Sequence, residues 1–212
     1  MRILFVGNSF TARNNLPALL ARLAKERGIA IEHKLVQAGG ASLRQHLNSG
    51  AVAAALEADA YDVVVLQEQS TLPGKNAKRM HENVREMHDL ITAAGAKTAL
   101  YMTWAWLNRP DGQAAITTAY ASIAAELGAT LVPVGMVWER FLREHDQPVL
   151  HDDDGSHPAL AGTYLAACVF LIALLQEDPV GLEAKPKALS NEDAALIRCE
   201  TWRLCEDLAA GR

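Results

Sequence analysis

The chain has 212 residues, of which 50% are hydrophobic and 21% are charged, and its formal net charge is -5 at pH 7. These proportions exclude a disordered chain, and this length predicts a single domain over residues 1–212. Lysine and arginine are scattered along the sequence, so no nucleic-acid partner is expected. The longest apolar run, residues 164–175, is shorter than the roughly 20 residues of a membrane helix, which argues against a membrane partner.

The cysteines give no sign of a redox or metal framework. Cys168, Cys199 and Cys205 are odd in number and lack CxxC spacing, so neither a disulfide network nor a zinc site is predicted. The apolar stretch at the N-terminus is short and has no cleavage pattern, so we expect a cytoplasmic protein. No metal or other cofactor is expected, and the sequence makes no prediction about oligomeric state.

Short apolar runs alternate with helical segments along the chain. The runs predict β-strands at residues 3–6, 29–36, 63–66, 98–102 and 130–134. The first helix is predicted to begin near Leu16 and Pro17 and to end before Gly28, and residues 190–210 predict a C-terminal helix. Alternation of this kind is typical of a parallel sheet covered on both faces. The sequence therefore predicts an α/β protein, a three-layer α/β/α sandwich with a five-stranded parallel sheet.

Polar segments follow the first four predicted strands. They comprise residues 7–11, 37–42, 67–70 and 103–106, and a fifth polar segment covers residues 151–158. Ligand sites of open parallel sheets form beyond the carboxyl ends of the strands, where the strand order reverses. We therefore expect these segments to converge on one site.

Within these segments lie the components of serine-based acyl transfer. Such chemistry needs a nucleophile, a base that takes its proton and a carboxylate that orients the base. Ser9 is the candidate nucleophile and His157 the candidate base. Asp154 precedes His157 by three residues, so one turn can bring both side chains to the same side.

Donors for an oxyanion are also present. The backbone N–H of Ser9 is one candidate, and the Gly39-Gly40 pair allows a second backbone N–H to approach a ligand closely. Either Gln67 or Gln69 is able to supply a third donor through its side-chain amide. The sequence thus predicts an oxyanion hole formed by Ser9, the Gly39-Gly40 pair and one of the two glutamines.

The motifs GNSF, AGG and DGSHP occur in this order along most of the chain, and together they resemble the motifs of the SGNH (GDSL-like) hydrolases. The resemblance implies a flavodoxin-like sandwich and ester hydrolysis by a Ser-His-Asp triad. Carried over by position, the triad is Ser9, His157 and Asp154. The backbone N–H groups of Ser9 and Gly40 are then the oxyanion donors.

Two motifs depart from the commonest family pattern. Asn8 stands where the first motif usually has aspartate, and LQEQS stands where the family usually has G-x-N-D. LQEQS is more similar to the Q-G-E motif of the carbohydrate-acetylesterase branches, in which glutamine replaces the asparagine amide. Gln67 is therefore the first choice as donor and Gln69 the second. The predicted substrate is a small or carbohydrate-linked acyl ester.

Several residues have alternative interpretations. Asn8 and Trp104 are predicted to bind substrate, although Trp104 and Trp106 are equally suited to packing. Glu68 is suited to a structural hydrogen bond or to a polar substrate. Five histidines have no neighbours comparable to those of His157 and are predicted to lie on the surface: His33, His46, His81, His88 and His145.

A function without catalysis is the main alternative. A glycan- or anion-binding protein on the same scaffold would use Asn8, Ser9 and Thr11 to hold its ligand. The acidic segment before His157 opposes a bound phosphate electrostatically, which counts against the anion-binding form of this alternative.

Overall fold

The computed structural model describes residues 1–211. Its strands form a parallel sheet in the order β2-β1-β3-β4-β5. They are β1 (Arg2–Gly7), β2 (Glu32–Gln37), β3 (Val63–Leu66), β4 (Lys97–Tyr101) and β5 (Thr130–Val132). The apolar run Val63–Leu66 forms the central strand, as a strand covered on both faces should. The predicted α/β sandwich is confirmed.

Alternate strand residues supply two hydrophobic cores, one on each face of the sheet. Ile3 and Phe5 point into the first core, and Leu4 and Val6 point into the second. Helices α2 (Leu16–Glu26), α8 (Val134–Glu144), α9 (Leu160–Leu175) and α10 (Asn191–Ala209) pack in the first core. Helices α3 (Leu43–Ser49), α4 (Ala51–Ala58), α6 (Ala77–Ala93) and α7 (Gln113–Leu127) pack in the second. Two short helices, α1 (Ser9–Ala12) and α5 (Leu72–Lys75), follow β1 and β3.

The start of the second strand differs from its prediction. Ile29 caps the end of α2, because its backbone N–H donates to the carbonyl oxygen of Ala24 at 2.9 Å. Gly28, with φ +78°, provides the left-handed residue that lets the chain turn back in this way. The apolar residues after Gly28 therefore cap the helix, and β2 begins only at Glu32.

The strand order locates the site. The chain passes from β1 to β2 on one side and then crosses back over β1 to β3 on its other side, so the strand order reverses at β1. Ligands of doubly wound sheets bind at this point. The carboxyl end of β1 lies beside the ends of β2 and β3, because Val6 pairs with Val36 and with Leu66.

Among residues 1–211, none of the helices combines the length and the apolar character that crossing a bilayer requires.

Candidate active site

Ser9 stands at the first position of α1, directly beyond the carboxyl end of β1. Asn8 caps this helix, because its side-chain oxygen accepts the backbone N–H of Phe10 at 3.1 Å. Because Gly7 has no side chain, Gln67 and Thr11 can approach its backbone closely. A Cβ atom at Gly7 would lie 2.6 Å from the side-chain oxygens of both Gln67 and Thr11. The GNSF motif therefore forms a sharp strand-to-helix turn that only glycine fits at its first position.

The side chain of Ser9 is joined by consecutive hydrogen bonds to two side chains of the loop near residue 155. The hydroxyl oxygen of Ser9 lies 2.7 Å from Nε2 of His157, and Nδ1 of His157 lies 2.5 Å from Oδ2 of Asp154. An ionised carboxylate only accepts hydrogen bonds, so the proton between His157 and Asp154 belongs to Nδ1. Nε2 is then the acceptor for the Ser9 hydroxyl. This is the geometry in which a histidine takes a proton from serine.

Asp154 is held in its ionised form by local hydrogen bonds. Its Oδ1 accepts the backbone N–H groups of His157 at 2.8 Å and of Ser156 at 2.9 Å. The His157 backbone N–H, then the Ser156 N–H, and then the His157 side chain lower the pKa of Asp154 well below its usual range. The carboxylate therefore carries its charge at every pH at which the protein would act.

The loop that carries Asp154 and His157 closes on itself. The backbone N–H of Asp152 donates to the carbonyl oxygen of His157 at 2.8 Å, and that of Ala159 donates to Leu150 at the same distance. The indole N–H of Trp104 reaches the carbonyl oxygen of Ser156 at 3.0 Å. The Trp104 bond joins the loop to the segment after β4.

Arg13 and Asn14 join this loop to the Ser9 segment. The Arg13 guanidinium forms an ion pair with Asp152 at 2.6 Å, and the Asn14 amide donates to the carbonyl oxygen of Pro158 at 3.2 Å. Asn14 has φ +54°, a left-handed conformation that asparagine tolerates better than most residues. Neither residue belongs to a predicted motif, and the consecutive asparagines at 14 and 15 were the signal in the sequence.

The loop after β2 brings Gly40 to the same edge of the sheet. Gly40 has φ +64°, which favours glycine, and the carbonyl oxygen of Ala41 accepts the side-chain amide of Asn8 at 3.0 Å. Among the described residues, no acceptor is bonded to the backbone N–H of Ser9 or to that of Gly40. Both groups are thus available to a ligand.

The two glutamines of LQEQS differ in what their amides contact. Gln67 is fully buried: its oxygen accepts from the backbone N–H of Asn8 and the hydroxyl of Thr11, both at 2.9 Å, and its NH₂ donates to the carbonyl oxygen of Glu68 at 2.5 Å. The oxygen of Gln69 accepts from the next turn, whereas its NH₂ has no acceptor within residues 1–211. The sequence ranks Gln67 above Gln69 as an oxyanion donor, but in the structure it is the NH₂ of Gln69 that is free to bind a ligand.

Asn8 and Trp104 have contacts within the protein. Asn8 is 2% exposed, and both polar atoms of its side chain bond the backbone. Trp104 is 1% exposed and stacks on Trp138 with ring centroids 3.8 Å apart. Trp106 is 38% exposed, so it is the tryptophan of this segment that a ligand reaches most easily. Substrate binding by Asn8 and Trp104 stays a prediction.

A cavity of about 170 Å³ lies between the loops after β3 and β4. Neighbouring strands are spaced by about 4.8 Å, so these loops stand one and two strand spacings from β1. Trp104 borders the cavity and packs against Phe10. The ring centroid of Phe10 lies 5.1 Å from that of His157. The cavity therefore lies beside the hydrogen-bonded side chains of Ser9, His157 and Asp154, although Ser9 does not line it. Its polar and aromatic lining includes Ser70, Thr71, Lys75, Trp106, Arg109 and Asp111.

Two other histidines bear on the assignment of a base. His46 is buried, which corrects its predicted surface position, and its Nε2 lies 2.8 Å from the carbonyl oxygen of Gly7. His151 is also buried, its Nε2 faces the carbonyl oxygen of Ala105, and burial lowers its pKa. Both side chains serve backbone contacts, which leaves His157 as the histidine bonded to Ser9.

A cluster that could hold a cation lies elsewhere, where α8 meets α10. It consists of Glu144, His145 and Glu200. The guanidinium of Arg203 pairs with both carboxylates, so this cluster already has its positive charge.

The fold is shared with solved structures of known relatives. A protein from Slackia heliotrinireducens that is assigned to the SGNH hydrolases is 33% identical, with a TM-score of 0.72 over 82% of this chain and 98% of that chain. A DUF4886 family protein from Bacteroides uniformis is 18% identical, with a TM-score of 0.78 over 97% and 95% of the two chains.

A catalytic mutant of Axe2, an acetylxylan esterase from Geobacillus stearothermophilus, has a TM-score of 0.68 at 15% identity, over 88% of this chain and 96% of that chain. At that identity the likeness concerns the fold alone. No protein-family model matches the chain, and no curated protein matches it. The 33% identity to the Slackia protein extends over nearly the whole of that relative. The chain therefore belongs to the SGNH hydrolases, a family of ester-cleaving enzymes.

Proposed function

We propose that the protein hydrolyses acyl esters with Ser9 as nucleophile, His157 as general base and Asp154 as the carboxylate that orients the base. The observation that carries this proposal is the continuous chain of hydrogen bonds from Ser9 Oγ through the His157 ring to Asp154, at 2.7 and 2.5 Å. A binding protein would have no need of these two consecutive hydrogen bonds, which is why we favour catalysis over ligand binding alone.

The reaction divides into two half-reactions. As Ser9 Oγ attacks the ester carbonyl, its proton passes to Nε2 of His157, which then gives this proton to the departing alcohol. Water attacks the acyl-enzyme next and loses its proton to the same nitrogen, and collapse of the tetrahedral intermediate releases the acid and restores Ser9. Asp154 stabilises the imidazolium in both halves, and its lowered pKa keeps it ionised throughout.

The oxyanion of each tetrahedral intermediate needs preorganised donors. The unbonded backbone N–H groups of Ser9 and Gly40 are the two main candidates. Gln69 is the better candidate for a third, because its NH₂ is unbonded while that of Gln67 is engaged by Glu68. Each such donor typically lowers the barrier by about 2.7–4 kcal/mol.

The substrate we propose is a small or carbohydrate-linked acyl ester, with acetyl as the simplest acyl group. The cavity of about 170 Å³ has room for a small group, and exposed Trp106 offers a face on which a sugar ring can stack. Axe2, which shares the fold, is described as an acetylxylan esterase.

The test compares wild-type protein with Ser9→Ala on short-chain p-nitrophenyl esters and acetylated xylooligosaccharides. Turnover should fall by at least about 10⁴-fold in the variant, because a triad without its nucleophile retains only the contribution of binding and oxyanion stabilisation. A phosphonate inhibitor should label Ser9 in the wild type, as read by mass spectrometry of the digested protein.

Ser70→Ala is the matched control for labelling. Ser70 also follows a strand at the same sheet edge but has no hydrogen bond to a histidine within the described chain. Labelling should persist in Ser70→Ala and disappear in Ser9→Ala. Full turnover and labelling in Ser9→Ala would refute the proposed nucleophile.

A further inference from the structure

Glu68 is a fully buried carboxylate in the segment after β3, and its role does not follow from the proposed triad. Burial of a charged group is costly unless partners compensate it. Within residues 1–211, no Lys, Arg or His nitrogen lies within 4.0 Å of this carboxylate. Three N–H donors compensate it instead: the backbone of Leu43 at 2.9 Å, the backbone of Gln69 at 2.7 Å and the side-chain amide of Asn83 at 2.9 Å.

These donors come from three separate elements. Leu43 is the first residue of α3 and follows the Gly40 loop, while Asn83 lies on α6. Gln69 belongs to the same loop as Glu68. The carboxylate therefore joins the end of the Gly40 loop to the segment after β3 and to the helix that packs beneath both.

The Gly40 loop is consequently fixed on both sides. Before Leu43, the carbonyl oxygen of Ala41 accepts the amide of Asn8, and the backbone N–H of Asn8 donates to Gln67. Adjacent residues of one strand end, Gln67 and Glu68, thus hold the two segments that carry the backbone N–H groups of Ser9 and Gly40.

The geometry points to Glu68 as a positioning residue of the active site, one that sets the distance between the Gly40 N–H and the Ser9 N–H through its bond to Leu43. This inference rests on the proposed function. Oxyanion donors act only when they lie about 2.7–3.1 Å from the developing charge, and a displacement of about 1 Å costs on the order of 100-fold in rate.

A charge swap between positions 68 and 83 tests the inference. Glu68→Gln retains one acceptor oxygen but turns its new NH₂ towards the NH₂ of Asn83, so two donors oppose each other. Rotating the Asn83 amide does not help, because its oxygen already accepts Nε of Arg44 at 3.1 Å. We expect kcat to fall about 10- to 100-fold with KM within about twofold of wild type.

The double variant Glu68→Gln/Asn83→Asp restores the pattern with the charge on the other residue. The introduced amide donates to the introduced carboxylate, which also accepts Arg44, and the amide oxygen still faces the N–H groups of Leu43 and Gln69. We expect kcat to return to within about threefold of wild type. Glu126→Gln, which removes an exposed carboxylate on α7, is the control and should leave kcat unchanged.

Hydrogen exchange separates anchoring from general destabilisation. The hydrogen-bonded amides of residues 38 and 41–43 should exchange faster in Glu68→Gln and regain protection in the double variant, while the strands stay protected in both. If Glu68→Gln does not fold, the double variant decides: folded protein with kcat reduced more than 10-fold would overturn the positioning role.

The two proposals fail in different ways. Wild-type kcat and wild-type exchange of residues 38–43 in Glu68→Gln would overturn the positioning role and leave the esterase proposal intact. A wild-type protein that neither cleaves esters nor reacts with the phosphonate at Ser9 would overturn the proposed function, and the catalytic role of Glu68 with it.

Discussion

The loop of residues 152–157 is bonded to the segment around Ser9, and the pair Gln67 and Glu68 is bonded to that segment and to the Gly40 loop, but the two regions are constructed in opposite ways. In the loop, Asp154 and His157 are 46% and 27% exposed at their side chains and are oriented by bonds to near neighbours in the sequence. Gln67 and Glu68 are fully buried and bond residues up to 59 positions away.

Under the two proposals, this difference separates groups that react from groups that position. A side chain that moves protons has to meet the substrate, so it depends on a local turn for its orientation. The backbone N–H groups of Ser9 and Gly40 are present whatever side chain their residues carry. Their positions therefore depend on the buried side chains that bond the segments carrying them. Substitutions in the loop should therefore alter rate without stability, and substitutions in the buried part should alter stability as well.

The largest effect is expected from Asp154→Asn. The introduced amide oxygen can still accept the two backbone N–H groups, but its NH₂ would face Nδ1 of His157 and favour the wrong tautomer. We expect kcat to fall about 10⁴-fold with little change in melting temperature.

Because the pKa of Asp154 is lowered, the carboxylate stays charged from neutral pH down through the usual aspartate range near pH 4. Protonation of Asp154 should therefore add no acid limb to the wild-type profile, and the slope of log kcat against pH should not exceed one over that range in a pH–rate series. Asp153→Asn makes the same change at the preceding exposed residue and should match wild type. A large stability loss in Asp154→Asn would contradict the separation of rate from stability.

An intermediate effect is expected from Gln69→Glu. The carboxylate keeps an oxygen for the turn bonds to Thr71 and Leu72 but has no NH₂ to offer a ligand. We expect kcat to fall about 100- to 1,000-fold, as for the loss of one oxyanion donor, in steady-state assays with p-nitrophenyl acetate.

The control is Gln45→Glu, which also keeps an acceptor oxygen in use, here for the backbone N–H of Ser42 at the start of α3. It should retain wild-type kcat. Equal activity of Gln69→Glu and wild type would remove this amide from the oxyanion hole.

The smallest effect on rate, but a measurable one on stability, is expected from Asn8→Asp. One carboxylate oxygen can still cap α1, while the other would face the carbonyl oxygen of Ala41, where the amide now donates at 3.0 Å. Two buried acceptors in contact should lower the free energy of unfolding by about 1–3 kcal/mol in urea titrations.

The same substitution at exposed Asn48 should be neutral within about 0.5 kcal/mol. Unchanged stability of Asn8→Asp would show that the amide contact with Ala41 holds nothing in place.

The fold was predictable because its signals are local. Runs such as Val63–Leu66 are apolar on both faces, and the helix over Leu16–Glu26 begins with proline in its first turn and ends before glycine, as predicted. The prediction of β2 was wrong at its start because an apolar residue after Gly28 serves a helix end as readily as a strand. Helix α1 was not predicted, because four residues give no periodicity.

The site was only partly predictable. Ser9, Asp154 and His157 were identified from motif order and spacing, and the structure brings them within hydrogen-bonding distance. The ranking of Gln67 above Gln69 rested on the resemblance of LQEQS to Q-G-E, which does not show that the NH₂ of Gln67 donates to the neighbouring carbonyl oxygen of Glu68. His46 was misjudged because its partner, the carbonyl oxygen of Gly7, lies 39 positions away, so no local pattern points to it.

The separation of 148 positions between Ser9 and His157 has a consequence for the growing polypeptide. Chains are made and begin to fold from the N-terminus. All five strands, the last ending at Val132, leave the ribosome before the loop that carries the proposed base. A nascent chain with a complete sheet would therefore display Ser9 without a proton acceptor, and its esterase activity would begin only when the loop of residues 152–157 has emerged and docked.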